Sequence, residues 1–257
     1  MRRPLCLPLV ALALPALAAA AALAGAAPAA ERPGSIAGRV TFAGPVPPEE
    51  FLVVTKDVPV CGARLPAERL VMSPEGGLAN AVVFLEAWPG EPPAPPMPSL
   101  TVDNRGCRFV PRVAAAQVGT TLTVRNSDPL LHNLRAFLDD QPVLNVVLTV
   151  LGQVTERRLR RAGVQRLRCD VHPHMEGHLL VFDHPGFAVT DASGTFRISG
   201  VPPGRYTVKA WHEGWRPLRE GGPGGVQEAP PPVVLAREVM VPPGGEATIA
   251  FTFGHVP

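Results

Sequence analysis

The chain has 257 residues, with 24 Lys and Arg against 22 Asp and Glu and an apolar fraction of 46%. That length admits one large globular domain or two ordinary ones, and the apolar content excludes a disordered or collagen-like chain. The 32 prolines and 25 glycines, without a long amphipathic proline-free stretch after residue 31, exclude a helical bundle and favour an all-β chain rich in turns.

Arg2 and Arg3 precede a nearly unbroken Leu/Ala/Val run from Leu5 to about Ala24, followed by small residues as far as Ala30. This is the pattern of a secretory signal peptide cleaved between Ala26 and Ala30. An uncleaved membrane anchor is the alternative, because the run approaches the ~20 residues that a span requires. Either way the chain is expected to be exported, to the periplasm or another extracytoplasmic space. Cys6 stands at the start of the apolar run rather than at its end, which argues against a lipoprotein cysteine. Losing Arg2 and Arg3 takes the 24 basic residues to 22, matching the 22 acidic ones. A neutral mature chain implies no nucleic-acid partner. No later apolar stretch reaches spanning length, so the mature body is expected to carry no membrane span.

Strand signals begin at 35–42, 51–54 and 80–86, β-rich runs bounded by Gly and Pro clusters. Residues 88–98 hold six prolines and cannot donate to a ladder, so they are expected to form an extended surface loop. Further strands are expected at 120–125, 131–137, 143–150, 153–159, 164–169 and 178–183, a spacing that suits a Greek-key sandwich. A second unit follows His184, with strands near 187–190, 195–198 and 205–211, a Gly/Pro-rich loop at 216–232, and strands at 233–240 and 246–253. The last of these alternates apolar and polar residues, so one face is expected to be buried.

Between the strands at 164–169 and 178–183 lies Cys169-Asp-Val-His172-Pro-His174-Met175-Glu-Gly177. A thiolate, an imidazole and a thioether fall within seven residues, each three from the last, so one tight turn can aim all three at a point. Soft sulfur with imidazole selects copper, and two His, one Cys and a weak axial Met make the blue-copper set. Half of a tetrahedral zinc site, or an inert buried thiol, are the other readings of Cys169. The second imidazole is supplied by His132, which opens a strand after the turn Asn126-Ser-Asp128-Pro. Beyond Cys6, the odd count of Cys61, Cys107 and Cys169 demands a role for one thiol. A metal thiolate accounts for Cys169, which leaves Cys61 and Cys107 to form a disulfide.

The loop Cys-x-x-His-Pro-x-Met-x-Gly and the Asn-…-His132-Asn133 context resemble the cupredoxin family, most closely its amicyanin branch, over residues 109–184. The resemblance implies one type 1 copper held by His132, Cys169, His172 and Met175, and a role for Asn133 in tying the two ligand loops together by hydrogen bonds. It also implies single-electron transfer to a redox partner protein, with His172 at the solvent edge as the exit. His174 is expected to be an exposed loop histidine, or else an auxiliary copper contact. His178 is expected to face solvent. Residues 190–213, with Asp191-x-x-Gly194-x-Phe196 and Val201-Pro-Pro-Gly204-x-Tyr206, resemble the carboxypeptidase regulatory-like, transthyretin-like domain, a small β-sandwich with no evident catalytic residue.

The expected organisation is a signal at 1–30, an N-terminal β extension at 31–104, a cupredoxin-like copper domain at 105–184 and a transthyretin-like β-sandwich at 185–257. The copper unit is expected to borrow its first strands from 35–87, because 109–184 is short for the fold. One copper site without a second His-rich cluster suggests an electron carrier rather than an enzyme. Copper storage or delivery, and a cell-envelope interaction module with a structural metal, are the rival functions.

Overall fold

The computed structural model describes residues 32–45, 48–215 and 231–254. The expected signal at 1–30, and residues 216–230 of the expected Gly/Pro-rich loop, lie outside the described residues. Among the described residues, no helix is long and apolar enough to cross a membrane.

The chain opens with β1 (Gly34–Ala43), β2 (Phe51–Val53), the one-turn helix α1 (Val58–Cys61), β3 (Arg64–Pro66) and β4 (Val82–Leu85). There follow β5 (Ser99–Asn104), β6 (Phe109–Val110), β7 (Val113–Gln117), β8 (Thr121–Asn126), β9 (His132–Leu138) and β10 (Gln141–Leu148). Next come β11 (Val154–Arg158), β12 (Gly163–Arg168), β13 (Glu176–Phe182) and β14 (Phe187–Val189). The last strands are β15 (Thr195–Val201), β16 (Gly204–His212), β17 (Val233–Val241) and β18 (Glu246–Gly254).

They form two β-sandwiches. The first faces a sheet ordered β10-β9-β12-β13-β7 with one ordered β11-β8-β5-β6. Leu122, Val124, Leu134, Leu167 and Leu179 fill the space between them. The second faces β15-β1-β18 with β14-β4-β16-β17, around Ile36, Val83, Phe196, Val208 and Phe251. In β18 every second residue from Ala247 to Phe253 is buried, the alternation that its sequence leads one to expect.

The N-terminal region differs from the expected extension. None of residues 35–87 joins the two sheets of the first sandwich; β1 and β4 are instead built into the second, and β5 into the first. The reason lies in β18 and β15, which do not pair with each other. β1 runs between them, parallel to β18 and antiparallel to β15, and supplies the central ladder that residues 185–257 lack on their own. Gly38 permits this, since a Cβ there would stand 1.7 Å from the Ile249 carbonyl oxygen.

The two sandwiches meet through the outer faces of β7 and β13. Val113, Ala115 and Leu180 pack on Val82 and Trp211 from β4 and β16. A charged cluster extends this junction: Arg112 grips the Glu213 carboxylate with Nε at 2.8 Å and Nη2 at 2.6 Å. His178 sets its ring 5.1 Å from that of Trp211, with Nδ1 3.9 Å from Glu213. His178 therefore does not face solvent as expected; its side chain is 14% exposed, because the second sandwich covers the face that alternation would leave wet.

Burial, opposed by the Glu213 carboxylate, pushes both His178 and His212 down to about 4. In the unfolded chain they titrate near 6.5. Their neutral burial contributes stability that is present above pH 6.5 and is lost as the pH falls towards 4, where only the unfolded state gains protons. We expect the thermal midpoint of the protein to fall steeply between pH 6.5 and 4.5, by more than in a His178→Gln, His212→Gln variant. Parallel pH profiles for the two proteins would show that these histidines are not the cause.

Candidate metal centre

The ligand loop joins β12 to β13 and is closed by its own backbone: Cys169 N donates to the Met175 carbonyl at 3.3 Å and Met175 N to the His172 carbonyl at 2.9 Å. Gly177 follows because β13 runs against the segment before β7, where a Cβ would stand 2.7 Å from the Arg112 carbonyl oxygen. β9 pairs with β12, Leu167 opposite Ala136, which brings the start of β9 to the start of the loop. His132, Cys169 and His172 consequently converge, all three buried, with donor atoms within 4.8 Å of one another. Met175 is buried in the same core cluster as Cys169. Among the described residues Cys169 is the one free cysteine.

The two imidazoles are oriented alike. Nε2 of His132 lies 3.1 Å from Asp128 Oδ2 and Nε2 of His172 lies 2.9 Å from Asp57 Oδ2. A carboxylate oxygen accepts, so each Nε2 donates, and in the neutral ring that leaves the Nδ1 lone pair free. Nδ1 of His132 is buried without a hydrogen-bond partner. Nδ1 of His172 faces Cys169 Sγ at 3.8 Å. A buried imidazole nitrogen left orphaned, on a ring that converges with a buried thiol, is what a metal-ligand set looks like without its ion. Burial, followed by the neighbouring His172 ring, lowers the pKa of His132, which favours the neutral form that a ligand requires.

Asp128 is itself held in place, accepting from Gly106 N at 2.7 Å and Cys107 N at 2.8 Å. A second candidate group, Cys107, Asp128 and His132, offers no thiolate, because Cys107 is bonded to Cys61. That bridge is the pairing expected from the cysteine count.

Asn133 bridges the two ligand loops. Its Oδ1 accepts from Asp170 N at 2.7 Å, its Nδ2 donates to Asp170 Oδ2 at 2.8 Å and to Asn145 Oδ1 at 3.1 Å, and its backbone N points at Cys169 Sγ at 3.5 Å. Asn133→Ala leaves that backbone contact but cuts the side-chain bridge. We expect copper affinity to fall about 10- to 100-fold, as for losses of other groups that orient metal ligands; competition against a chelator of known affinity measures it. Unchanged affinity would mean that the loop holds its shape without the bridge.

Two positions differ from expectation. His172 is not at a solvent edge: its side chain is 0% exposed, and Asp57 stands against its Nε2 at 2.9 Å, on a segment whose Val54 and Cys61 belong to the first sandwich's core. His174 is not an exposed loop histidine either. It is 8% exposed, its ring centroid 5.7 Å from that of His172, and burial and then His172 lower its pKa while the Cys107 backbone opposes the shift. It lies outside the group whose donor atoms converge. Sequence reasoning missed Asp57 and Asp128. The four-residue step from Asp128 to His132 was a usable signal for the second; for Asp57, 115 residues from His172, there was none.

Solved structures similar to part of the chain include a purple cupredoxin from Nitrosopumilus maritimus, at 24% identity and TM-score 0.28, covering 32% of this chain and 97% of that one. A copper-containing nitrite reductase from Thermus scotoductus matches at 25% identity and TM-score 0.29, over 37% of this chain and 25% of that one. A reduced amicyanin variant matches at 19% identity and TM-score 0.29, over 38% of this chain and 97% of that one. No curated protein matches the sequence. Residues 181–254 match the family model of the carboxypeptidase regulatory-like domain. The motif residues have evident jobs there: Asp191 Oδ1 accepts from Ser193 N and Thr195 N, both at 2.9 Å, and Tyr206 Oη donates to the Pro202 carbonyl at 2.7 Å. Residues 181–254 are thus a carboxypeptidase regulatory-like domain.

Proposed function

We propose that this chain is an exported mononuclear copper protein that exchanges single electrons with a partner protein, and that it is a carrier rather than an enzyme. One observation carries the reading: a free, buried Cys169 thiol whose Sγ lies within 4.8 Å of a ring nitrogen of each of two buried imidazoles, His132 and His172. His132, Cys169 and His172 would hold the metal, with Met175 as a weak thioether ligand, a set whose softness favours copper over zinc. Bound copper would supply the one-electron couple between Cu(I) and Cu(II).

The protein's own contribution is rigidity. Asp128 and Asp57 fix the two rings, Asn133 fastens one ligand loop to the other, and the loop's backbone bonds fix Cys169 against Met175. A cage that moves little when its charge changes suits fast electron exchange. Location outside the cytosol is supported by the Cys61–Cys107 disulfide, since such bridges persist in oxidising compartments.

The test is voltammetry of the copper-loaded mature protein beside a copper-transfer assay. A reversible couple with retention of Cu(I) in the presence of acceptor protein is expected. Slow, irreversible redox with ready release of Cu(I) would replace this reading with copper delivery.

A further inference from the structure

The segment from Val54 to Cys61 has no counterpart in the motifs that define the ligand loop, yet it touches the centre at His172 Nε2. Asp57 precedes α1 with φ 54° and ψ 34°, a left-handed conformation that non-glycine residues adopt at a cost and that clusters at functional positions. An Asp at the start of a helix ordinarily accepts a hydrogen bond from the first turn. Asp57 makes no such side-chain bond; its carboxylate reaches out to His172 Nε2 at 2.9 Å instead. Asp57 is 36% exposed and His172 0%, so the carboxylate stands between the imidazole and solvent.

The segment is closed at its base and tethered at its far end. Val54 N donates to the Ala63 carbonyl at 3.0 Å, beside the β2–β3 pair. Cys61 is bonded to Cys107, whose own backbone N holds Asp128, the carboxylate behind His132. A strap, a disulfide and two carboxylates therefore run in series from one imidazole to the other.

We propose that Asp57 is the positioning residue for His172, and that the disulfide-tethered strap of residues 54–61 closes the imidazole edge of the centre, so that small chelators reach the metal there only when the strap lifts. The part that concerns the metal rests on the copper reading above; the positioning of His172 does not.

Two readouts separate them. In the apoprotein, long-range nitrogen–proton NMR reports the tautomer of His172, and the exchange of its Nε2 proton reports shielding. Wild type should hold the Nε2–H tautomer with slow exchange. Asp57→Ala should show mixed tautomers and fast exchange, and Asp57→Asn, which still offers an acceptor, should recover the tautomer. In the copper-loaded protein, loss of Cu(I) to bicinchoninate should be about 10- to 100-fold faster in Asp57→Ala, the scale seen when a group that orients a metal ligand is removed, and intermediate in Asp57→Asn. An apoprotein melting point within a few degrees of wild type shows that the variant is folded; if Asp57→Ala unfolds, the Asn variant decides through Nε2-proton exchange and Cu(I) loss, both expected to be faster than in wild type, and wild-type exchange there overturns the positioning role. Unaltered tautomer and exchange in Asp57→Ala overturn the positioning role. An altered tautomer with unchanged Cu(I) loss overturns the closure. A chain that takes up no copper overturns the copper reading while the NMR result still judges Asp57.

Discussion

Glu213→Ala is expected to destabilise the protein by about 3–5 kcal/mol, the usual result of stripping one partner from a buried ion pair. The Glu213 side chain is 4% exposed and that of Arg112 9%. Burial by itself would raise the Glu213 carboxyl, but Arg112 overrides it and holds the group ionised. Removing the carboxylate leaves a guanidinium in a site where its remaining acceptor is the Glu176 carbonyl at 3.0 Å. The pair also spans the sandwiches, Arg112 immediately before β7 and Glu213 immediately after β16, so its loss loosens their junction. Urea unfolding of Glu213→Ala and of the double variant Arg112→Met, Glu213→Leu checks the cause. The double variant should regain most of the loss, because no charge is left buried without a partner. Equal losses in both would mean that packing, rather than the stranded charge, sets the cost.

Eliminating the disulfide with Cys61→Ala and Cys107→Ala is expected to cost about 4 kcal/mol, from release of a loop of 46 residues in the unfolded chain. For a chain of this size that corresponds to a melting point lower by roughly 10 °C. The bridge anchors both the strap bearing Asp57 and the turn whose Cys107 N orients Asp128. Copper affinity should therefore fall in the same variant, measured by chelator competition below its melting point. A lower melting point with unchanged affinity would separate the bridge's stabilising role from the centre.

What the sequence disclosed follows from what is local. Cys169, His172 and Met175 lie within seven residues, and one loop between paired strands brings them together, so spacing revealed them. His132 was legible because a turn rich in Asn, Ser, Asp and Pro announces a strand start. β18 was legible because one of its faces is wet. β7 was not: Val113-Ala-Ala-Ala-Gln117 is buried at every position, with Ala114 and Ala116 in the first sandwich's core and Val113 and Ala115 against the second. A strand covered on both faces shows no alternation. His178 was misjudged for the same reason, since its face meets the second sandwich. Asp57 and the placement of β1 depend on contacts across 115 and more than 150 residues, which no local pattern encodes.

If His132, Cys169 and His172 form one copper centre, titration of the metal-free protein with Cu(II), followed by its visible spectrum, will show it. Saturation at one copper per chain is expected, with an intense thiolate-to-copper absorption that is absent from Cys169→Ser. Failure to bind copper, or a spectrum unchanged in Cys169→Ser, would contradict it.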